Sequence, residues 1–376
     1  MHFSLLISLT LSVVSHIAAR PITSSEIVAN SAKGLRLLSL ADGEEPVWKS
    51  EADLINLRKQ GKHFFDVTEV YEAEQKLPAK AKAAAVTYPT TFHASTLTPI
   101  LNTVSTSNMQ TNLASLTAYN NRYYKSTTGA AASTFIRDKI ASYISTYSRT
   151  DVTVSLYSHS FVQSSIIAKI PGKTTGAVTI IGAHMDSINL SSPSSGRAPG
   201  ADDDGTGTVN LIEAFRVLLA ADFRPATPVE FHWYAAEEVG LLGSQAIATA
   251  YKSAGVNVKA FMELDMSGYF KPGTKEVMAL QADYIDTSLN TFLKALITQY
   301  SRIPWAMDIA CAYACSDHAS WYKAGFPSSF PYEAITGNDD PNVHSASDTT
   351  SVTGFSWAHS LEFAKIGVAF VYELAI

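Results

Sequence analysis

Apolar and polar positions in this chain follow two different periods, and the switches between them outline its elements. From Ala132 to Ile144 the apolar residues recur at helical spacing, and Val152 to Tyr157 alternates as a half-buried strand does. Ser165 to Ile170 and Val178 to Ala183 are short β-branched runs separated by a Pro171-Gly172 turn, a pattern that predicts a hairpin. The pattern then predicts a helix over Gly207 to Leu219, a strand over Val229 to Tyr234 and a helix over Leu241 to Tyr251. Strands over Val258 to Leu264 and Val277 to Leu280 follow, then helices over Leu289 to Tyr300 and Phe355 to Leu374. Strand–helix alternation after Ala183 predicts an α/β fold of three layers, with a mixed, mostly parallel central sheet flanked by helices. The hairpin would form its antiparallel edge.

The N-terminal pattern is of another kind. Residues 1–19 carry no Lys, Arg, Asp or Glu, and Leu5 to Val14 is apolar but for Ser and Thr. Ala18 and Ala19 follow, so 1–19 reads as a secretory signal whose apolar run is too short to span a bilayer. No later run is long enough for a membrane helix, and the product is expected outside the cell. Residues 20–87 hold 10 basic and 10 acidic side chains, about 29% charged, against about 15% from Tyr88 onward. The change falls at Lys76-Leu-Pro-Ala-Lys-Ala-Lys-Ala-Ala-Ala85, which reads as an exposed, cleavable linker. Residues 20–87 are therefore expected to be a propeptide and 88–376 the catalytic domain. The net charge of −6 lies wholly on 88–376. With no basic excess, nothing suggests a nucleic-acid partner, and 46% hydrophobic residues exclude a disordered chain.

Unusual polar groups stand where the predicted strands end, the place at which open α/β sheets bind ligands. His184-Met-Asp186 follows one strand, Glu237-Glu238 another and Asp265 a third. Asp202-Asp203-Asp204 leads into the helix at Gly207, and His344 stands in a later loop. Singly these are ordinary: a triple aspartate before a helix is a good N-cap, and His-x-Asp is common on surfaces. Together, carboxylates crowded at the end of a buried sheet would repel unless cations neutralised them. Imidazole and oxygen donors without thiolate suit Zn²⁺, with Mn²⁺ or Co²⁺ as alternatives.

These segments carry a resemblance. Gly182-Ala-His-Met-Asp-Ser187, Pro199-Gly-Ala-Asp-Asp-Asp-Gly-Thr-Gly207, Ala235-Ala-Glu-Glu-Val-Gly-Leu-Leu-Gly-Ser244, Leu264-Asp-Met266 and the segment from Cys311 to Trp321 resemble the co-catalytic dizinc aminopeptidases of family M28, the secreted fungal leucine aminopeptidases most closely. The likeness runs from about Tyr88 to the C-terminus, with the motifs in order. It implies two Zn²⁺ per chain. His184 and Asp265 would hold one, Glu238 and His344 the other, and Asp203 would bridge them. It also implies Glu237 as general base, and Asp186 as acceptor of the other ring N–H of His184. Asp202 and Asp204 are left with capping or supporting roles.

The implied reaction is removal of N-terminal residues, leucine and other large apolar ones preferentially, by a water that Glu237 deprotonates. Substrates would be peptides with a free N-terminus. Met266, Tyr313, Phe330, Tyr332 and Val343 are the candidate pocket wall, with Tyr313 foremost because the family places a tyrosine in that loop. Cys311 and Cys315, the only cysteines, lack further thiols to complete a zinc site and are expected to form a disulfide in a secreted chain. Asn189 opens the only N-glycosylation sequon. His318, within Ser-Asp-His-Ala-Ser, is the one other histidine singled out; His63 and the rest are expected to be structural. A monomer, its own propeptide as partner, and no membrane complete the expectations. The alternatives are a carboxypeptidase or a glutaminyl-cyclase-like acyltransferase on the same fold.

Overall fold

The computed structural model describes residues 22–76 and 86–376. The expected signal and the linker beyond Lys76 lie outside the described residues. The central sheet has six strands in the order Ser328–Ser329, Val258–Glu263, Val178–His184, Val229–Tyr234, Ser165–Ile170, Thr153–Tyr157. The first four run parallel, Ser165–Ile170 runs against them and Thr153–Tyr157 against it in turn, so the sheet is mixed, as expected. Val178–His184 and Val229–Tyr234 are buried at every position, Glu230 and His232 included, as strands covered on both faces are.

The expected hairpin between Ser165–Ile170 and Val178–His184 does not form. Val229–Tyr234 lies between them, antiparallel to the first and parallel to the second. The true antiparallel partner of Ser165–Ile170 is Thr153–Tyr157, paired from Tyr157 with Ser165 to Thr153 with Lys169. The strand of Met278–Leu280 likewise belongs elsewhere. It pairs with Trp305–Met307 and Pro331–Tyr332 in a small separate sheet that carries Tyr332 towards the strand ends.

Helices cover both faces. On one, Thr127–Thr146, Gly205–Ala220 and Trp357–Ala375 bury Ile136, Val209, Phe215, Phe363 and Phe370 against Phe231 and Trp233. On the other, Leu242–Ser253 and His318–Lys323 bury Ile247 and Trp321 against Ile180, Tyr234 and Phe261. A Cβ on Gly207 would collide with the Leu264 carbonyl. Only glycine lets the first turn of Gly205–Ala220 come this close to the strand end that bears Asp265. No helix among the described residues is long and apolar enough to cross a membrane.

Residues 22–76 build a unit of their own. Helices Ser24–Ser31 and Glu51–Lys59 both start with capping boxes, Thr23 with Glu26 and Ser50 with Asp53. Leu35–Ser39 is the central strand of a three-stranded antiparallel sheet. This unit packs Leu38, Leu54 and Phe64 against Tyr123, Ile188, Val239 and Leu242 of the main body. Its Leu37, Phe65 and Val70 meet Leu241, Ala314 and Ala319.

Candidate metal centre

Three parallel strands end at one level, and each hands its next residues to the same point. In register, His184 faces Tyr234 and Gly182 faces Glu263, so the residues that follow each strand converge. Ala236, Met266 and His344 have positive φ, a conformation that non-glycine residues adopt at a cost and that clusters at functional sites. Met266 follows the expected ligand Asp265, His344 is itself one, and Ala236 precedes the expected base Glu237.

The ligand atoms fall into two groups that share Asp203. His184 Nε2 is 3.0 Å from Asp203 Oδ1 and 3.4 Å from Asp265 Oδ1. His344 Nε2 is 3.0 Å from Asp203 Oδ2 and 3.2 Å from Glu238 Oε2. The two oxygens of Asp203 thus face different imidazoles, the arrangement a bridging carboxylate needs. The set Asp203, Glu238, His344 brings its ligand atoms within 4.8 Å of one another, as does the set His184, Asp204, Asp265. Asp204 is less suited than Asp203 to ligation, because its Oδ1 already accepts the N–H groups of Gly207 and Met266 as helix cap.

These residues fit a pair of cations on two further grounds. Asp265 Oδ1 and Glu238 Oε1 are buried without a hydrogen-bond partner, which is costly unless something else satisfies them. The charges are also unbalanced. Burial disfavours a charged ring at His344, yet Glu238 and Asp203 outweigh it and push its pKa up to about 10. His184 is held well above its usual value in the same way, against burial, with Asp265 the strongest of its carboxylate neighbours. The carboxylates draw protons onto imidazoles where divalent cations would neutralise them better.

Asp186 works chiefly through the backbone. Its Oδ1 and Oδ2 accept the N–H groups of Glu237 and Glu238 at 3.0 and 3.3 Å. The ring contact expected from sequence is long, 3.5 Å from His184 Nδ1. Glu237 is 5% exposed, and burial pushes its carboxyl well above the usual range, with His184 and Arg58 opposing. Glu237 lines a cavity of about 330 Å³ together with Met266, Tyr313, Phe330, Tyr332 and Val343, so the structure brings all the expected pocket residues together. Cys311 and Cys315 are disulfide-bonded and form part of the same wall.

Several residues at the centre escaped the sequence reading. Asp348 accepts the N–H groups of Asp202 and Asp203 at 2.8 and 3.1 Å and so fixes the backbone that presents the Asp203 carboxylate. Four residues beyond His344, it had only proximity as a signal. Glu333 accepts from Gly268 and Tyr269 through Oε2 and from Asp340 through Oε1, and Asp202 Oδ1 accepts the same Gly268 N–H. Arg122, fully buried, donates to the carbonyls of Met185 and Gly200 and binds two ligand loops together. His318 is different: it packs on Phe330, and burial lowers its pKa to about 3, which keeps it neutral. His63, expected to be structural, stands in the cavity stacked on Tyr313 with ring centroids 4.3 Å apart.

A three-layer α/β fold with paired imidazole–carboxylate clusters at the strand ends defines a metallopeptidase class, and the comparisons specify it. The chain belongs to peptidase family M28, whose sequence model matches residues 165–371; it is a peptide hydrolase. It is 41% identical over 350 residues to leucine aminopeptidase 1 of Arthroderma otae, which covers 90% of this chain and 92% of that one. Leucine aminopeptidase 1 of Penicillium rubens is 41% identical over 339 residues, 87% of each chain. Among solved structures, the LapA aminopeptidase of Legionella pneumophila superposes with a TM-score of 0.79 at 29% identity, covering 92% of this chain and 96% of its own.

Proposed function

We propose that the protein is an extracellular aminopeptidase that uses two zinc ions to release leucine and other large apolar residues from peptide N-termini. The observation that carries this reading is Asp203, whose two oxygens each lie 3.0 Å from a different imidazole beside an apolar cavity. His184 and Asp265 would hold one ion, Glu238 and His344 the other, with Asp203 between. Zinc in such a pair supplies Lewis acidity and ionises water near neutral pH.

The chain's own residues do the rest. Glu237 takes a proton from the attacking water and returns it to the leaving amine, and burial matches its carboxyl to that double task. Asp186 holds Glu237 and Glu238 in place through their N–H groups. Met266, Phe330, Tyr332, Val343 and Tyr313 offer an apolar wall to the side chain of the substrate's first residue. Residues 1–19 act as a signal and 20–87 as a propeptide, leaving 88–376 as a monomeric mature enzyme. Asn189 is the glycosylation site in this reading. Its Nδ2 donates to the Arg197 carbonyl in the folded chain, a bond that the one N–H left on a glycosylated Nδ2 would have to keep.

The names of the fungal relatives support the leucine preference. Hydrolysis of leucine p-nitroanilide before and after exhaustive chelation tests the reading. Activity is expected to vanish with the metal and return with zinc; activity that survives metal removal refutes it. An N-acetylated substrate should be refused, which separates this reaction from a carboxypeptidase's.

A further inference from the structure

The deepest point of contact between the 22–76 unit and the main body is one arginine. Arg58, near the end of helix Glu51–Lys59, has a side chain only 5% exposed. Its Nη2 lies 3.0 Å from Glu238 Oε2 and 3.2 Å from His344 Nε2. Those are two of the three ligand groups of the Asp203, Glu238, His344 cluster. A buried guanidinium is costly unless paired, and here the paired carboxylate is one that the metal needs.

The arginine is held there firmly. Its Nη1 lies 3.0 Å from His63 Nε2, and His63 is stacked on Tyr313 across the cavity. Asp66 donates its N–H to the Gly240 carbonyl at 3.0 Å, and Gln245 Nε2 donates to the carbonyls of Asp66 and Gly240. A Cβ at Gly240 would lie 2.8 Å from Asp66, so glycine permits this close approach. The anchor is therefore the very loop that carries Glu237 and Glu238. Leu38, Leu54 and Phe64 add apolar burial around it.

We propose that Arg58 is a built-in substitute for the second metal ion. Docking of residues 22–76 and filling of the Asp203–Glu238–His344 position then compete, while the His184–Asp265 position stays open to its ion. This rests on the two-metal reading above and adds to it the form of regulation: the uncleaved chain takes its first zinc normally and its second reluctantly. By linkage, the second zinc loosens the 22–76 unit by the same factor by which the unit weakens the zinc.

The test uses the full, uncleaved chain. Zinc is titrated into metal-free wild type and Arg58→Met, with bound ions counted by elemental analysis. Arg58→Met keeps the volume of the side chain and removes its charge. The second ion is expected to bind wild type more weakly than the variant by a factor of roughly 5–150, the usual range of coupling between sites. Equal affinity for the second ion in both chains overturns the substitution while leaving two metals in place. Failure of both chains to take up a second ion refutes the two-metal reading itself, and the competition with it. Hydrogen exchange on wild type alone needs no variant. Amides of 51–66 should exchange faster once the second ion binds, and protection that is unchanged at two ions per chain overturns the proposal.

Discussion

Glu237 and Glu238 are neighbours with one backbone support, Asp186, and different tasks: Glu238 Oε2 points at His344 while Glu237 faces the cavity. Removing one carboxyl should therefore leave the other's work intact. Glu237→Ala is expected to keep both zinc ions by elemental analysis while kcat falls about 10²–10⁴-fold, the usual worth of a positioned acid–base. Asp348 makes the opposite case. Asp348→Asn puts an amide donor against the N–H of Asp202 or Asp203, which costs about 1–3 kcal/mol and turns the bridging carboxylate. Zinc affinity should drop roughly 10–100-fold in a zinc titration, with kcat at saturating zinc changed far less. The segments around His184, Asp203, Glu238 and Asp265, which the structure brings together, were readable because each is short and distinctive. Asp348 was not, because a carboxylate that grips backbone N–H groups has no sequence spacing of its own.

Strands were legible one by one and their pairing was not. Ser165–Ile170 and Val178–His184 both read as apolar runs flanking a turn, and only the crossover that inserts Val229–Tyr234 keeps them apart. That choice depends on contacts distant in sequence, which period and turn residues do not record. The inserted strand brings its own polar cluster. Glu230 accepts from His232 Nε2, Lys169 Nζ and Tyr251 Oη. Burial opposes its charge, but these partners prevail and hold its pKa at about 2, below the ordinary 4.5. A carboxyl depressed on folding stabilises above its unfolded pKa and loses that contribution as pH falls through the folded one. Between about pH 4.5 and 2 the wild-type protein should thus lose up to about 3 kcal/mol through this group. Glu230→Gln should flatten that part of the acid limb when thermal unfolding is followed against pH.

At the scale of the whole molecule, residues 22–76 pack on the main body and bring Arg58 and His63 into the cavity wall. Which residue of that unit would enter the site was beyond sequence: Arg58 and His63 look like any solvated helix-end charge and loop histidine. The three-layer body was legible because short strand-like runs rich in apolar residues alternate with helical stretches along the chain.

The Gly268 N–H, accepted at once by Asp202 and by Glu333, makes a single lever of two jobs. Asp202 precedes Asp203, and Glu333 follows Tyr332 of the cavity wall. A first residue too bulky for the pocket is expected to press on Tyr332, and the shared Gly268 N–H is the route by which that strain would reach Asp203. Size discrimination would then act on the chemical step itself. Among N-terminal residues larger than leucine, turnover should fall before binding does, seen as kcat declining across a size series while KM stays nearly level.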